Sequence, residues 1–105
     1  MENNVTRKGE WAVWKVEGHI DVTTADGVYE EGEKIVDREA KTALDMSGID
    51  YISSAGLRVL LRLWKKSKKQ GKAFTVFGAV DAVKMVLEDS NMDTLLEARE
   101  SVDAL

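Results

Sequence analysis

The stretch Leu44–Leu61, LDMSGIDYISSAGLRVLL, constrains this chain more than any other. Its beginning, Thr42–Met46, is a short apolar run suited to a buried strand, and helical spacing sets in from Leu57. The linker between them, residues 47–54, delivers Ser53 and Ser54 to the start of that helix. Unpaired backbone N–H groups and the positive end of the helix dipole favour an anion there, so a phosphate ester of serine is well placed.

The rest of the chain is read outward from this point. Trp11–Val16 is rich in strand formers, and Val5–Lys8 reads as its hairpin partner through a turn at Gly9-Glu10. Gly18 ends the strand. Asp21 or Thr23 can cap a first helix whose apolar positions Ala25, Val28, Tyr29, Gly32, Ile35 and Val36 follow i, i+3, i+4 spacing. The acids Glu30, Glu31, Glu33 and Asp37 read as its solvated outer face. In the second helix Leu57, Leu60, Leu61 and Trp64 form the apolar side, while Arg58, Arg62, Lys65, Lys66 and Lys69 make a basic stripe. That stripe reads first as solvated surface, with docking to an acidic partner as the alternative. Arg58, one turn after Ser54, can touch either a phosphate or a partner. Gly71 stops the helix, Ala73–Phe77 is another buried strand, and Gly78 turns the chain. Asp81 is expected to cap a third helix with Val83, Val86 and Leu87 inward. Met92, Leu95, Leu96, Val102 and Leu105 suggest a short strand or turn and a final amphipathic helix.

Strands alternating with helices predict an α/β layer structure with a mostly parallel sheet and an antiparallel edge strand. Functional loops of such sheets gather at the carboxyl ends of the strands, so residues 18–24, 47–55 and 78–81 are expected on one rim. With 105 residues, one domain spanning residues 1–105 is expected. No apolar run approaches the roughly 20 residues of a membrane span. A net charge of −4 argues against general nucleic-acid binding. The absence of cysteine excludes disulfides. The start, Met1-Glu-Asn-Asn, lacks the basic and apolar regions of a signal peptide, so cytoplasmic residence is expected.

Enzyme chemistry finds little support in the residues. His19 is the lone histidine, and a grouping with Asp21 and Ser54 lacks the glycine-framed serine of a nucleophile elbow. One histidine and no cysteine make a poor zinc set, and no phosphate loop ending in lysine and a hydroxyl residue is present. No catalytic residue, metal or cofactor is expected. The three tryptophans read as core, with Trp11 the one that, if exposed, would anchor an interface.

Asp45-x-Ser47, Tyr51, the Ser53-Ser54 step and Gly56-Leu57 together closely resemble the signature of the STAS family, the sulphate-transporter and anti-sigma-factor-antagonist domains, in its free-standing bacterial form. Gly18-His-Ile-Asp21 followed by Thr23-Thr24-Ala25 looks like the family's glycine-x-leucine-aspartate turn. The resemblance implies a STAS fold with four or five strands and about four helices. It also implies a monomeric, non-enzymatic, phosphorylation-switched antagonist that captures an ATP-binding anti-sigma factor kinase of histidine-kinase-like fold, with a serine phosphatase resetting the switch. In phosphorylated members the acceptor precedes the glycine by two, which is Ser54 here; Ser53 stands where an aspartate is usual and is left as a second acceptor. The implied partner surface is Asp21, Thr23, Thr24, Ser53, Ser54, Ala55, Gly56 and Arg58. A second reading makes the chain a subunit of a larger assembly, such as a lipid-transport ATPase, with Ser54 serving only as a helix cap. A third, a small hydrolase, is the weakest.

Overall fold

The computed structural model describes residues 4–105; Met1–Asn3, part of the segment read as lacking a signal peptide, lie outside them. The two long strands, β2 (Trp11–Ile20) and β3 (Lys41–Ile52), pair in parallel and form the spine of the sheet. β1 (Val5–Lys8) pairs antiparallel with β2 through the turn at Gly9, whose φ of 59° suits glycine. β4 (Ala73–Phe77) adds in parallel to the other side of β3, giving the order β1-β2-β3-β4. Helices α1 (Ala25–Arg38), α2 (Ser54–Lys69), α3 (Asp81–Asp89) and the single turn α4 (Met92–Leu95) complete the expected α/β architecture.

One face of the sheet is covered by the helices and the other only around Val13, Ala43 and Phe77. Ala12–Trp14, Thr42–Leu44 and Phe74–Phe77 are therefore continuous buried runs, while β2 alternates from Trp14 to Ile20, with Lys15, Glu17 and His19 exposed. Trp14, Leu44 and Val76, one registered row, are fully buried on one face, where Ile35 and Val36 of α1 and Leu60 and Leu63 of α2 join them. Gly32 permits this layer to close: a Cβ there would stand 2.6 Å from the Trp14 ring and 2.7 Å from Leu63. On the other face Val13, Ala43 and Phe77 form a smaller cluster under Trp11, Val102 and Leu105. The chain reaches that face after α4, where Thr75 Oγ1 donates to the carbonyls of Leu96 and Glu97 and Arg99 makes a parallel bridge to Phe77. Trp11 is therefore half-buried there, with Arg99 and Lys41 over its ring, and is not a free interface anchor.

Several sequence expectations need correction. The strand expected over Thr42–Met46 runs on to Ile52, so most of the expected linker is strand. The pairing shows why: β3 carries an extra residue between Asp45 and Gly48 and another between Ile49 and Tyr51. These irregularities put Met46, Ile49 and Ile52 on the buried side at every third position, a pattern that matches neither strand nor helix periodicity. α2 begins at Ser54, as the placing of the two serines at its start implied, but its buried line is Gly56, Val59, Leu60, Leu63 and Ser67, leaving Leu57, Leu61 and Trp64 half-buried at the margin. Neither Asp21 nor Thr23 caps α1, where Thr24 holds the N-cap position without a side-chain bond. Asp81 does not cap α3 but is its first residue, with φ at 52°. The expected final amphipathic helix is a 3-10 turn, Val102–Ala104.

Candidate functional site

The polar groups of the site are set by where β2 and β3 end. Their pairing runs to Ile20↔Ile52, and beyond it the Ser53 amide donates to the Ile20 carbonyl at 3.0 Å. That bond fastens the start of α2 to the end of β2. Ser53 has extended backbone geometry, and its Oγ accepts from the Gly56 amide at 3.4 Å while lying 3.4 Å from the Ile20 carbonyl as donor. Its hydroxyl is thus occupied as the N-cap, one of the favoured residue types for that position. Ser54 is the next residue, exposed, and no hydrogen bond of its hydroxyl occurs among the described residues. No acidic side chain lies in the first turn of α2, so the helix itself leaves its positive end unneutralised beside Ser54.

Across from this helix start, the β2–α1 turn is closed by side chains. Asp21 Oδ1 accepts from the Thr23 amide at 2.8 Å and the Thr23 hydroxyl at 2.6 Å. Thr24 Oγ1 accepts from the Asp21 amide and donates to the His19 carbonyl, both at 3.0 Å. The Thr23 hydroxyl, and after it the Thr23 amide, hold the Asp21 carboxyl below its ordinary range. Because the folded value is lowered, the stability this ionised turn adds is present above the unfolded pKa and lost as pH falls through the folded one. His19 Nε2 lies 3.7 Å from Asp21 Oδ2, and no hydrogen bond joins it to either serine among the described residues.

The structure brings Asp21, Thr23 and Thr24 to the same end as Ser53, Ser54, Ala55 and Arg58. A groove of about 310 Å³ between the two helix starts is lined by Val22, Ala25, Asp26, Ala55, Arg58 and Arg62, among others. The third expected turn does not join them. β4 stops opposite Asp45, seven residues before the end of β3, which is roughly 20 Å of strand. Gly78–Asp81 therefore flanks Ser47–Asp50. Gly56 is also corrected: it is buried, and a Cβ there would stand 2.7 Å from the Ile20 carbonyl and 2.6 Å from Ile52. Its backbone approach is to the sheet, not to a partner. Two exposed side chains with apolar surface lie at this end: Val22, 82% exposed, lines the groove with Ala55, and Tyr51, 55% exposed, stands three residues before α2. Val22 was overlooked, although an aliphatic residue inside the polar Asp21–Thr24 turn was a readable signal.

Among the described residues no group of three or more His, Cys, Asp or Glu is placed to hold a metal ion, and no helix is long and apolar enough to cross a membrane.

The family model of the STAS domain matches residues 3–105. The chain belongs to the STAS domain family. Its fold is similar to that of a Thermotoga maritima protein described as a candidate anti-sigma factor antagonist, with a TM-score of 0.86 at 16% identity over 95% of this chain and 87% of that one. An anti-sigma factor antagonist from Mycobacterium paratuberculosis gives 0.85 at 23% identity over 95% and 86%. The Bacillus cell fate determinant SpoIIAA in its phosphorylated form gives 0.69 at 9% identity over 95% and 92%. At these identities the likeness establishes the shared fold.

The unequal roles of the two serines lead to a direct expectation. Ser53→Ala removes the cap and lowers stability by about 0.5–2 kcal/mol, whereas Ser54→Ala changes it by less than about 0.5 kcal/mol. Urea unfolding of both variants checks this, and equal losses would contradict the assignment of the cap. Gly56→Ala gains at most about 1 kcal/mol of helix propensity but forces a methyl into the Ile20 backbone. We expect a net loss of about 2 kcal/mol, seen as a lower urea midpoint with an unchanged slope.

Proposed function

We propose that this chain is an anti-sigma factor antagonist whose binding is switched by phosphorylation of Ser54, acting as a free-standing binding module in the cytoplasm. The observation that carries the reading is the division of labour between the serines: Ser53 is engaged by the helix start, and Ser54 is exposed and uncommitted in a first turn that holds no acidic side chain. Family membership and the fold shared with anti-sigma factor antagonists support it.

In this reading the unmodified chain binds an ATP-dependent anti-sigma factor kinase and so frees a sigma factor. Its contact surface is Asp21, Val22, Thr23, Thr24, Tyr51, Ser54, Ala55 and Arg58. The kinase transfers the γ-phosphoryl group of ATP to Ser54 Oγ; the bond to the β-phosphate breaks, ADP leaves, and the hydroxyl proton passes to a base of the kinase or to water. The phosphate adds a charge of about −1.5 to −2. At the head of α2 that charge is favoured by roughly 0.3–1 kcal/mol, so the fold tolerates it. In the interface it must be desolvated against a partner whose own nucleotide phosphates lie near, which costs several kcal/mol and favours release. A serine phosphatase would then restore binding.

Incubation with the cognate kinase and ATP, followed by intact-mass measurement and peptide mapping, tests the proposal. The expected result is one phosphate, on Ser54, and at least about tenfold weaker kinase binding by the modified chain. Phosphate on Ser53 alone would move the acceptor, and none on either serine would favour the reading as a subunit of a larger assembly. Arg58→Glu is expected to slow association with the kinase at low salt.

A further inference from the structure

The cations of this chain are segregated. Residues 53–72 hold seven of its fifteen Lys and Arg residues and none of its nineteen acids, so this segment carries +7 and the remainder −11. Only part of that charge is answered locally. Lys66 is bound by Glu33 at 3.2 Å and Asp37 at 3.5 Å, and Lys72 Nζ donates to the carbonyls of Val36 and Asp37 at the end of α1. Arg62, Lys65, Lys68 and Lys69 have no acidic partner among the described residues, and with Tyr29 and Trp64 they line a shallow concavity of about 740 Å³ along the outer side of α2. Two of these cations rest on the aromatic rings: the Arg62 guanidinium lies 3.9 Å from the Tyr29 ring centre and Lys68 Nζ 5.6 Å from that of Trp64. Stacking of this kind limits the freedom of long side chains, which lowers the entropy lost when a carboxylate binds.

We infer that this concavity docks an acidic segment of a protein partner, with carboxylates on Arg62, Lys65 and Lys69 and an apolar side chain between Tyr29 and Trp64. The concavity runs along the later turns of α2, about 10 Å from Arg62 to Lys69, and meets the groove at the helix start only at Arg62, which lines both. Charge complementarity selects the occupant. An anionic bilayer would need an apolar wedge, and the large exposed apolar side chains, Val22, Tyr51, Val80, Met85 and Leu95, all lie outside this concavity, leaving it none to insert. A single-stranded nucleic acid would want open ring faces for its bases, and Arg62 and Lys68 occupy those faces.

The test is fluorescence anisotropy of a fluorescein-labelled peptide, four glutamates, a leucine and four glutamates, titrated with the full, unmodified chain in the absence of kinase, so that its outcome is independent of the fate of Ser54. We expect saturable binding at about 0.01 M salt and about tenfold weaker binding at about 0.1 M, as the Debye length falls from about 30 to about 10 Å. The variant Lys65→Glu/Lys69→Glu, checked by circular dichroism for an intact fold, should weaken binding about tenfold. Lys15→Glu/Lys84→Glu, which makes the same change in net charge elsewhere, should alter it less than about twofold. The inference is overturned by absence of saturable binding at low salt, by equal losses in the two double variants, or by tighter binding to phosphatidylglycerol vesicles or oligo-dT than to the peptide. It is likewise overturned by a self-association that Lys65→Glu/Lys69→Glu abolishes, which would make a second copy the occupant.

Discussion

The carbonyl of Ile20 is where the two halves of the site are joined. It accepts the Ser53 amide at 3.0 Å, faces the Ser53 hydroxyl, and leaves room for no more than the hydrogen of Gly56. An intramolecular hydrogen bond contributes only about 0.5–1.5 kcal/mol net, but an orphaned buried carbonyl or a misplaced methyl costs more. Small residues at 53 and 56 follow from that constraint, and so does the position of residue 54. Once Ser53 turns in to cap α2 and Gly56 presses on the sheet, Ser54 lies on the outward side of the first turn. The reach of β3 is part of the same arrangement. Without the pairing of Tyr51 and Ile52 to His19 and Ile20, α2 would start well away from the Asp21–Thr24 turn.

Electrostatics then gives this end of the molecule its chemistry, and magnitudes separate the consequential terms from the incidental ones. Exposed pairs such as Arg7 with Glu39 at 2.7 Å contribute about 0–1 kcal/mol each and do little to set the fold. The first turn of α2, by contrast, carries no acidic side chain of its own and forms a fixed positive end, with Asp26 of α1 lining the groove beside it. A phosphate on Ser54 would therefore change what the surface can bind far more than it changes the fold. The remaining cations of α2 extend the positive region along the helix, while the exposed surface elsewhere is mostly acidic. A protein of net negative charge thus presents one positive helix to its surroundings.

Much of the architecture was legible in the residues. β4 was read to its ends because five apolar or β-branched residues sit between Gly71 and Gly78, and the hairpin at Gly9 because strand formers flank a turn residue. The far half of β3 was not legible, because two extra residues broke the alternation and put buried side chains three apart. Ser47, Gly48 and Asp50 made that segment look like a linker. The inner face of α2 was misjudged by about one position: Gly56 and Ser67 are buried but not apolar, so periodicity tracked Leu57, Leu61 and Trp64 at the margin. Residues at the site were found largely through motif, while their roles needed geometry. Which serine caps the helix, and whether Gly56 faces the sheet or a partner, depends on the direction of a few backbone groups that composition does not encode.

Amide NMR of the chain before and after phosphorylation tests most directly the claim that the Ser54 hydroxyl is free while Ser53 and Gly56 hold the helix to the sheet. Shift changes confined to Asp21–Thr24 and Ser53–Arg58, with the hydrogen-exchange protection of the β2 and β3 amides and of Gly56 unchanged, are the expected result. Loss of protection at Ile20, Ile52 or Gly56 on modification would contradict it, because the phosphate would then have displaced the contacts that fix α2.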